Sequence, residues 1–522
     1  MRAGSLARTR LARPRRSGAR ALPTDLRPSS LVPRPLEGVA AVVADVFVDG
    51  DVGGLAATGI THDSRAVRPG DLYAALPGER AHGADFTSMA AAAGAVAIFT
   101  DRPGPHPLPA LIVKEPRRHL GAVAAHIYGE PSTALDVIGI TGTNGKTTTA
   151  YLVEAGYAAS GRRTGLIGTV ETRVAGDVMP SEHTTPEAPD LHALLAVMRE
   201  RGATGVAMEV SSHGLALGRV DGVHYAAAVF TNLSQDHLDF HADMEDYFAA
   251  KAALFDAGRS AVAVLNVDDA AGRRLLDQVR IPRVTTSASG SNGADWRATD
   301  VQATSLGTTF VVHGPGLGAG RRTAISLPGG YNVDNALGAV AALHAVGVDV
   351  DAALSGMSSL PGVPGRLERV DAGQPWLAVV DYAHTPDSVT SMLASLRPLT
   401  AGKLVVVLGC GGDRDRSKRP LMGAAAARHA DVVVITSDNP RSEDPLLIVR
   451  AVESGARAAG GAEVVVEPDR AAAIALACAR ALPDDTVVVA GKGHEQGQVF
   501  ADRTVPFDDR EVLRAGIAAA LA

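Results

Sequence analysis

Short apolar runs separated by polar turns recur along most of the chain, and their lengths predict strands alternating with amphipathic helices. Between residues 37 and 133, apolar segments at 72–76, 95–100 and 110–113 flank an Ala-rich helical stretch around 89–93, the pattern of a small α/β unit. Pro131-Ser132-Thr133 makes a turn-rich link to a second region, 134–364. There strands are expected at 137–140, 205–210, 226–233 and 261–266, with helical periodicity at 191–201 and 244–256. A Gly/Ser/Thr-rich stretch, 284–322, reads as irregular β-hairpins inserted near the end of that region.

A stiff turn, LPGVPG at 360–365, introduces the third region, 365–522, with four short apolar strands expected at 377–380, 404–408, 432–436 and 486–490. Each is followed by a polar or Gly-rich loop. Open parallel sheets bind ligands outside the carboxyl ends of their strands, so the loops DYAHTPDS, GCGGDRDRSKRP, SDNPRSEDP and GKGHEQG are expected to crowd one edge. The fold class is α/β throughout, and no internal repeat of fixed period is present.

Composition narrows the partners. A net charge of −7, from 50 basic and 57 acidic residues interspersed along 522, implies no extended basic surface, so nucleic acid is not expected as a partner. Cys410 and Cys478 are too few and too far apart for a disulfide framework or a zinc site, which suits a reducing cytoplasm. No apolar run has the length of a membrane span. Residues 1–36 contain nine arginines and a single acidic residue, Asp25, without an apolar h-region. That is read as a disordered tail rather than a secretory signal; its transit-peptide look has no other support.

The stretch VIGITGTNGKTTTAYLVEAG carries the first candidate chemistry: a strand, a Gly-rich turn and a helix. Such a turn aims backbone N–H groups and the helix dipole at one point where an anion can sit. Lys146 adds a mobile positive charge, and Thr147 has the hydroxyl that such loops place on Mg²⁺. The strict spacing G-x-x-x-x-G-K-[ST] fails by one residue, because position 140 is Ile140. Glu209, at the end of a strand in MEVSSHGL, is a carboxylate that can face the same metal. In TNLSQDHLDFH, His237 and His241 lie four apart, but no third ligand has suitable spacing for zinc, which favours His237 alone near Mg²⁺.

Lys251 shares a helix face with Tyr247, Phe248, Leu254 and Phe255. Either its ammonium snorkels past this stripe to water, or a desolvated neutral amine reacts with CO₂ to give a carbamate, exchanging a cation for an oxygen ligand near the metal. Spacing alone leaves both open.

ITGTNGKTTT, EVSSHGL, DHLDFH, YNVDNALGA, PGRLE, DYAHTPDS, GCGGDRDRSKRP, SDNPRSEDP and GKGHE occur in this order, and together they resemble the Mur ligase family, in particular its branch that adds the third peptide residue of the bacterial cell-wall precursor. The likeness runs from about residue 37 to the end, and the family's phosphate loop is the short G-T-N-G-K-T form. The resemblance implies three domains: a small α/β domain (37–133) for the UDP end of UDP-MurNAc-L-Ala-D-Glu, a central P-loop domain (134–364) for ATP and two Mg²⁺ ions, and a Rossmann-like C-terminal domain (365–522) for the amino acid. It further implies a cytoplasmic monomer forming an amide through an acyl phosphate.

Carried over by position, Gly142, Thr143, Asn144, Gly145, Lys146, Thr147 and Thr148 would hold ATP phosphates, with Asn332 and Asn335 on the adenine side and Arg366 and Asp381 reaching phosphate and ribose. Thr147 and Glu209 would serve one metal ion, His237 and carbamylated Lys251 a second, with Lys146, Lys251 and His237 as the catalytic set. Ser64 in THDSR would meet UDP, and Thr184, Thr185, Ser211 and Arg219 the muramoyl dipeptide.

For the amino acid, Arg414, Asn439, Arg441 and Glu495 come from three strand-end loops and can converge on one ligand. Two arginines favour carboxylates and Glu495 suits an ammonium, a set that pairs with meso-diaminopimelate and repels the bare side-chain ammonium of lysine. Asp438, Pro440 and Gly491 complete the expected pocket, DNPR being associated in the family with diaminopimelate. The same residues also read as a turn, with Asp444 capping a helix that opens on Pro445. Three alternatives stay open: an L-lysine-adding ligase, a folylpolyglutamate synthetase-like ligase, and a regulatory P-loop ATPase.

Overall fold

The computed structural model describes residues 26–522, apart from 79, 182 and 292, so residues 1–25 of the expected tail lie outside the described residues. Residues 26–36 correct that expectation. Leu26 packs against the core of the second region, Arg27 pairs with the buried carboxylate of Asp71, and Ser29 bonds to Glu200. Leu36, fully buried, opens the helix Leu36–Ala41. An arginine with a buried partner and two leucines with apolar neighbours are what tie this segment down.

The first region is a five-stranded sheet in the order Phe47–Asp49, Ala110–Ile112, Ala97–Thr100, Asp71–Ala75, Gly59–Thr61, parallel except for the first. Pro131-Ser132-Thr133 is a 3₁₀ turn, Pro131–Ala134, leading into the central strand of the second region.

That second sheet has eleven strands. Asp136–Thr141 lies between Gly205–Glu209 and Ala227–Phe230, all parallel, and the parallel run continues through Ala263–Asn266 and Arg283–Ser287 to Trp296–Thr304. The stretch 284–322 does form β-hairpins, and they are continuous with the parallel sheet: Trp296–Thr304, Gly307–His313 and Arg321–Ile325 extend it as an antiparallel edge. Buried residues alternate to the two faces. Ile138 and Ile140 pack under Lys146–Ala159 and Tyr331–Ala345, whereas Val137, Val206 and Met208 face Ala188–Glu200. Helices on both faces force strands with no polar side, which is why these segments read as continuous apolar runs.

The third sheet has six strands rather than four: Glu368–Arg369, Leu377–Asp381, Thr486–Ala490, Leu404–Leu408, Val432–Ile435 and Glu463–Val466 in that order. All but the first pair are parallel, so the four loops named above leave the same edge. Among the described residues no helix is long and apolar enough to cross a membrane.

Candidate active site

The phosphate loop forms because the strand Asp136–Thr141 ends where Gly142 and Gly145 take positive φ, 151° and 88°, before the helix Lys146–Ala159 begins. At Gly145 a Cβ would stand 2.3 Å from Asn335 Oδ1, so only glycine lets the loop lie against that asparagine. Lys146 folds back onto its own loop, its Nζ donating to the carbonyls of Gly142 and Thr143 at 2.8 Å each. Burial lowers its pKa, Arg366 adding to the effect and Glu209 and Asp236 opposing it.

A cavity of about 510 Å³ opens over this loop. It is lined by 143–148, by Thr184, Thr185, Glu209, Ser211, Arg219, His237, Lys251, Asn332 and Asn335 from the second region, and by Arg366, Asp381 and Arg414 from the third. Gly142 contributes its carbonyl to Lys146 and is not part of the wall. The two regions are stitched together at the loop: Arg366 donates to Thr147 Oγ1 at 2.9 Å, and Asn144 Nδ2 to Asp387 at 3.2 Å. The Arg366 guanidinium also stacks 4.4 Å from the centre of the Tyr382 ring.

Glu209 accepts from Thr147 Oγ1 at 3.0 Å and from the backbone N–H and hydroxyl of Thr169 at 2.8 and 3.0 Å. Thr169 in turn touches Thr184, and Thr185 donates to the Glu209 carbonyl while accepting from the Ser211 N–H. Arg219 is held by Glu187 at 2.9 Å and donates to the Thr185 carbonyl. Asn335 Nδ2 donates to Asn332 Oδ1 at 3.0 Å, and Asn332 to the Pro328 carbonyl. Asp381 accepts from the N–H groups of Leu367 and Ala383, and burial raises its pKa against the pull of Arg366.

Lys251 does not snorkel. It is 1% exposed, with Tyr247, Phe248, Leu254 and Phe255 buried around it. Its Nζ donates to the Gly142 carbonyl at 2.8 Å and lies 4.5 Å from the Tyr247 ring centre. Burial, then the charge of Lys146, push its pKa well below the ordinary lysine range, with Asp236 opposing.

His237 adopts φ 56° and stands 4.8 Å, ring to ring, from His213, which is 5.9 Å from His241. His213 is thus a third imidazole that spacing could not reveal, yet the rings pack edge to face, around Phe240. Among the described residues no group of three His, Cys, Asp or Glu side chains could hold a metal ion by itself. Burial, with His213, Lys146 and Lys251 nearby, holds His237 below its ordinary pKa although part of its ring reaches the cavity.

Asp236, His384 and Thr169 also line the cavity. Asp236 receives Lys418 Nζ at 3.3 Å and lies 3.7 Å from His384, joining the second region to the third. Burial raises its pKa, but His384, Lys418 and His237 more than offset this and hold it well below the carboxylate range. Asp236 and Lys418 sit inside quoted motifs, whereas Thr169, in an ordinary GTVET turn, gives no signal at all.

The remaining expected pocket forms a second cluster. Asp438, Asn439, Pro440, Arg441, Gly491 and Glu495 do not line the cavity; they gather at the carboxyl ends of Val432–Ile435 and Thr486–Ala490. Asn439 Nδ2 donates to Glu495 at 2.7 Å, and Arg441, at φ 51°, donates to the Gly412 carbonyl at 2.7 Å. Gly491 passes so close to Asp438 that a Cβ would stand 2.5 Å from its carboxylate. Arg441 and Arg414 flank Gly411, which brings the two arginines to one place. Asp444 caps Pro445–Ala459 as the turn reading expects. Ser64 lies in the first region against the Tyr73 phenol, apart from the cavity.

A phosphate loop sharing its cavity with a second α/β unit that carries clustered cations defines an enzyme that activates an acid with a nucleotide and joins it to an amine. The chain belongs to the Mur ligase family: the family's middle domain matches residues 140–343, its glutamate ligase domain 365–493 and its catalytic domain 56–127. It is an ATP-dependent acid–amino-acid ligase. It is 57% identical over 500 residues to the UDP-N-acetylmuramoyl-L-alanyl-D-glutamate--2,6-diaminopimelate ligase of Streptomyces avermitilis, covering 94% of this chain and 98% of that one. The enzyme of the same name from Corynebacterium glutamicum is 48% identical, with 89% and 93% covered. A solved structure of a ligase bearing that name, 32% identical, superposes with a TM-score of 0.67 over 94% of this chain and all of the other.

Proposed function

We propose that this chain joins meso-diaminopimelate to the γ-carboxylate of the D-glutamyl residue of UDP-MurNAc-L-Ala-D-Glu. The observation that carries this reading is the hydrogen bond from Asn439 to Glu495, which unites the DNPR and GKGHE loops beside Arg441. Carboxylate and ammonium partners then stand together for a ligand with an amino acid group at each end.

A carboxylate and an amine do not condense near neutral pH, because oxide is a poor leaving group and the amine is protonated. Transfer of the γ-phosphoryl of ATP to the D-Glu carboxylate gives an acyl phosphate and ADP; the amine then attacks the carbonyl carbon, the C–O bond breaks and phosphate leaves. Lys146 and Arg366 flank the phosphate loop and offset the charge that moves. Asn332 and Asn335 face the adenine, Asp381 the ribose, and Thr184, Thr185, Ser211 and Arg219 the dipeptide. Ser64 and the first region take the UDP end.

The donor set fits Mg²⁺. Thr147 Oγ1 and Glu209 supply a hydroxyl and a carboxylate and leave other positions to phosphate oxygens and water, the way Mg²⁺ is held in phosphoryl-transfer sites. His237 and Lys251 would serve a second ion, Lys251 as its carbamate, since an ammonium there would repel a cation. When bound, the ions neutralise charge on the transferring phosphoryl group. Free, buried Cys410 and Cys478 suit a cytoplasmic enzyme.

The test is phosphate release with ATP, Mg²⁺ and the UDP-muramoyl dipeptide, comparing diaminopimelate, L-lysine and no amino acid. Release that depends on diaminopimelate supports the reading. Preference for lysine would assign the lysine-adding branch, and release indifferent to both substrates would leave only an ATPase.

A further inference from the structure

Lys492 lies between Gly491 and Gly493 and is 0% exposed, yet its charge has no place in the reaction as described. Its Nζ donates to Asn439 Oδ1 at 2.8 Å and to Glu495 Oε2 at 2.9 Å. Asn439 Oδ1 also accepts from the Val499 N–H at 3.0 Å, and its Nδ2 donates to the same Glu495 oxygen at 2.7 Å. The amide is thereby fixed in one orientation, with both oxygen and nitrogen committed. Glu495 Oε2 is used twice inside the protein, while about a third of that side chain, 31%, stays open.

We propose that Lys492 is a positioning and specificity-determining residue: by half-compensating Glu495 and locking Asn439, it makes the pocket reject a diamine that lacks a far carboxylate. The inference rests on the reading of this cluster as the diaminopimelate site. A ligand ammonium approaching Glu495 meets a carboxylate already paired to one buried cation, while Arg441, two residues along the chain from Asn439, stands with Arg414 at Gly411. Glu495 alone then holds an ammonium weakly, and a ligand binds well only if its own carboxylate engages the arginines. Diaminopimelate has that group and L-lysine does not. Without Lys492 a bare carboxylate would face the ligand, and lysine would be welcomed by the charge that now turns it away. Burying a lysine here costs desolvation, which a merely structural site could avoid with an apolar side chain of similar volume.

The experiment is steady-state kinetics of the full-length Lys492→Met variant with diaminopimelate, L-lysine and ATP. Expected is a rise of about tenfold in KM for diaminopimelate, an unchanged KM for ATP, and a fall of about tenfold or more in the preference for diaminopimelate over lysine. In Lys492→Gln/Glu495→Gln no bare carboxylate remains, so lysine should again be rejected. This double variant also buries no unpaired charge, and it carries the test if Lys492→Met does not fold. An unchanged preference in folded Lys492→Met, lysine use persisting in the double variant, or failure of both to fold would overturn the inference. A wild-type enzyme that ignores diaminopimelate would instead sink the activity reading.

Discussion

Lys146 and Lys251 converge on one carbonyl oxygen: each donates its Nζ to Gly142 at 2.8 Å. Two ammonium groups around a single acceptor, Lys251 buried and Lys146 half-buried, repel one another, which is part of why the Lys251 pKa lies well below its usual range. A neutral amine attacks CO₂, forming an N–C bond and releasing a proton, and the resulting carbamate turns the repulsion into attraction. Lys251→Ala is therefore expected to lower kcat about 10²–10³-fold, as loss of a preorganised charged group does. Added short-chain carboxylates should restore part of it, and intact-protein mass under CO₂ should rise by one CO₂. Full activity in CO₂-depleted buffer would rule the carbamate out.

Gly145→Ala should be a nucleotide-binding variant. The added methyl would stand 2.3 Å from Asn335 Oδ1 at a backbone φ of 88°, so both the loop and the asparagine must move. Strain of this sort costs about 1–3 kcal/mol, or about 5- to 150-fold in ATP affinity. Calorimetric titration with ATP should register it, whereas diaminopimelate affinity, if set by the separate cluster around Asn439 as proposed, should not change.

Much of this was legible from residue patterns, and the failures share a cause. The phosphate loop and the buried stripe around Lys251 are local: one depends on glycines three residues apart, the other on helical period. The edge strand Glu463–Val466 is only half-buried, so it lacks the unbroken apolar run that marked its neighbours. Arg27, Asp236 and Lys492 act through partners 44, 182 and 53 positions away, at Asp71, Lys418 and Asn439, and no window of sequence contains both halves of such a pair. Burial of a lysine among small residues is equally invisible, because Gly-Lys-Gly reads as an exposed turn.

Two buried groups should oppose each other in the pH dependence of stability. Burial pushes His192 down to about 4, so the folded state binds fewer protons and stability from this residue rises with pH from about 4 to 6.5. Burial, with Asp268 and Asp269 adding and the Ala288 N–H opposing, pushes Asp334 up to about 7, so its contribution falls as pH rises from about 3.8 to 7. Relative to wild type, His192→Gln should grow more stable toward acid and Asp334→Asn more stable toward neutral pH. Each slope is bounded by about 1.4 kcal/mol per pH unit. Thermal melts of the three proteins between pH 4.5 and 7, a window of about 2.5 units within the two titrations, would show opposite trends; parallel curves would contradict the assignment.

Arg470 and Asp509 form a salt bridge with neither side chain exposed, and the pair adjoins both loops of the proposed diaminopimelate cluster. Arg470 also donates to the Ala490 carbonyl at 3.0 Å and the Ser437 carbonyl at 3.3 Å, the residues just before Gly491 and Asp438. Asp509→Ala would leave an uncompensated guanidinium in the interior, at a cost of about 3–5 kcal/mol, readable as a lowered urea midpoint. Arg470→Met/Asp509→Leu removes both charges and should recover most of that stability, because the pair's attraction does little more than offset its desolvation. The two carbonyls would nevertheless lose their donor, so the double variant should bind diaminopimelate more weakly while keeping its ATP affinity. Should Asp509→Ala unfold within about 0.5 kcal/mol of wild type, the range of ordinary surface changes, the pair would be irrelevant to both fold and pocket.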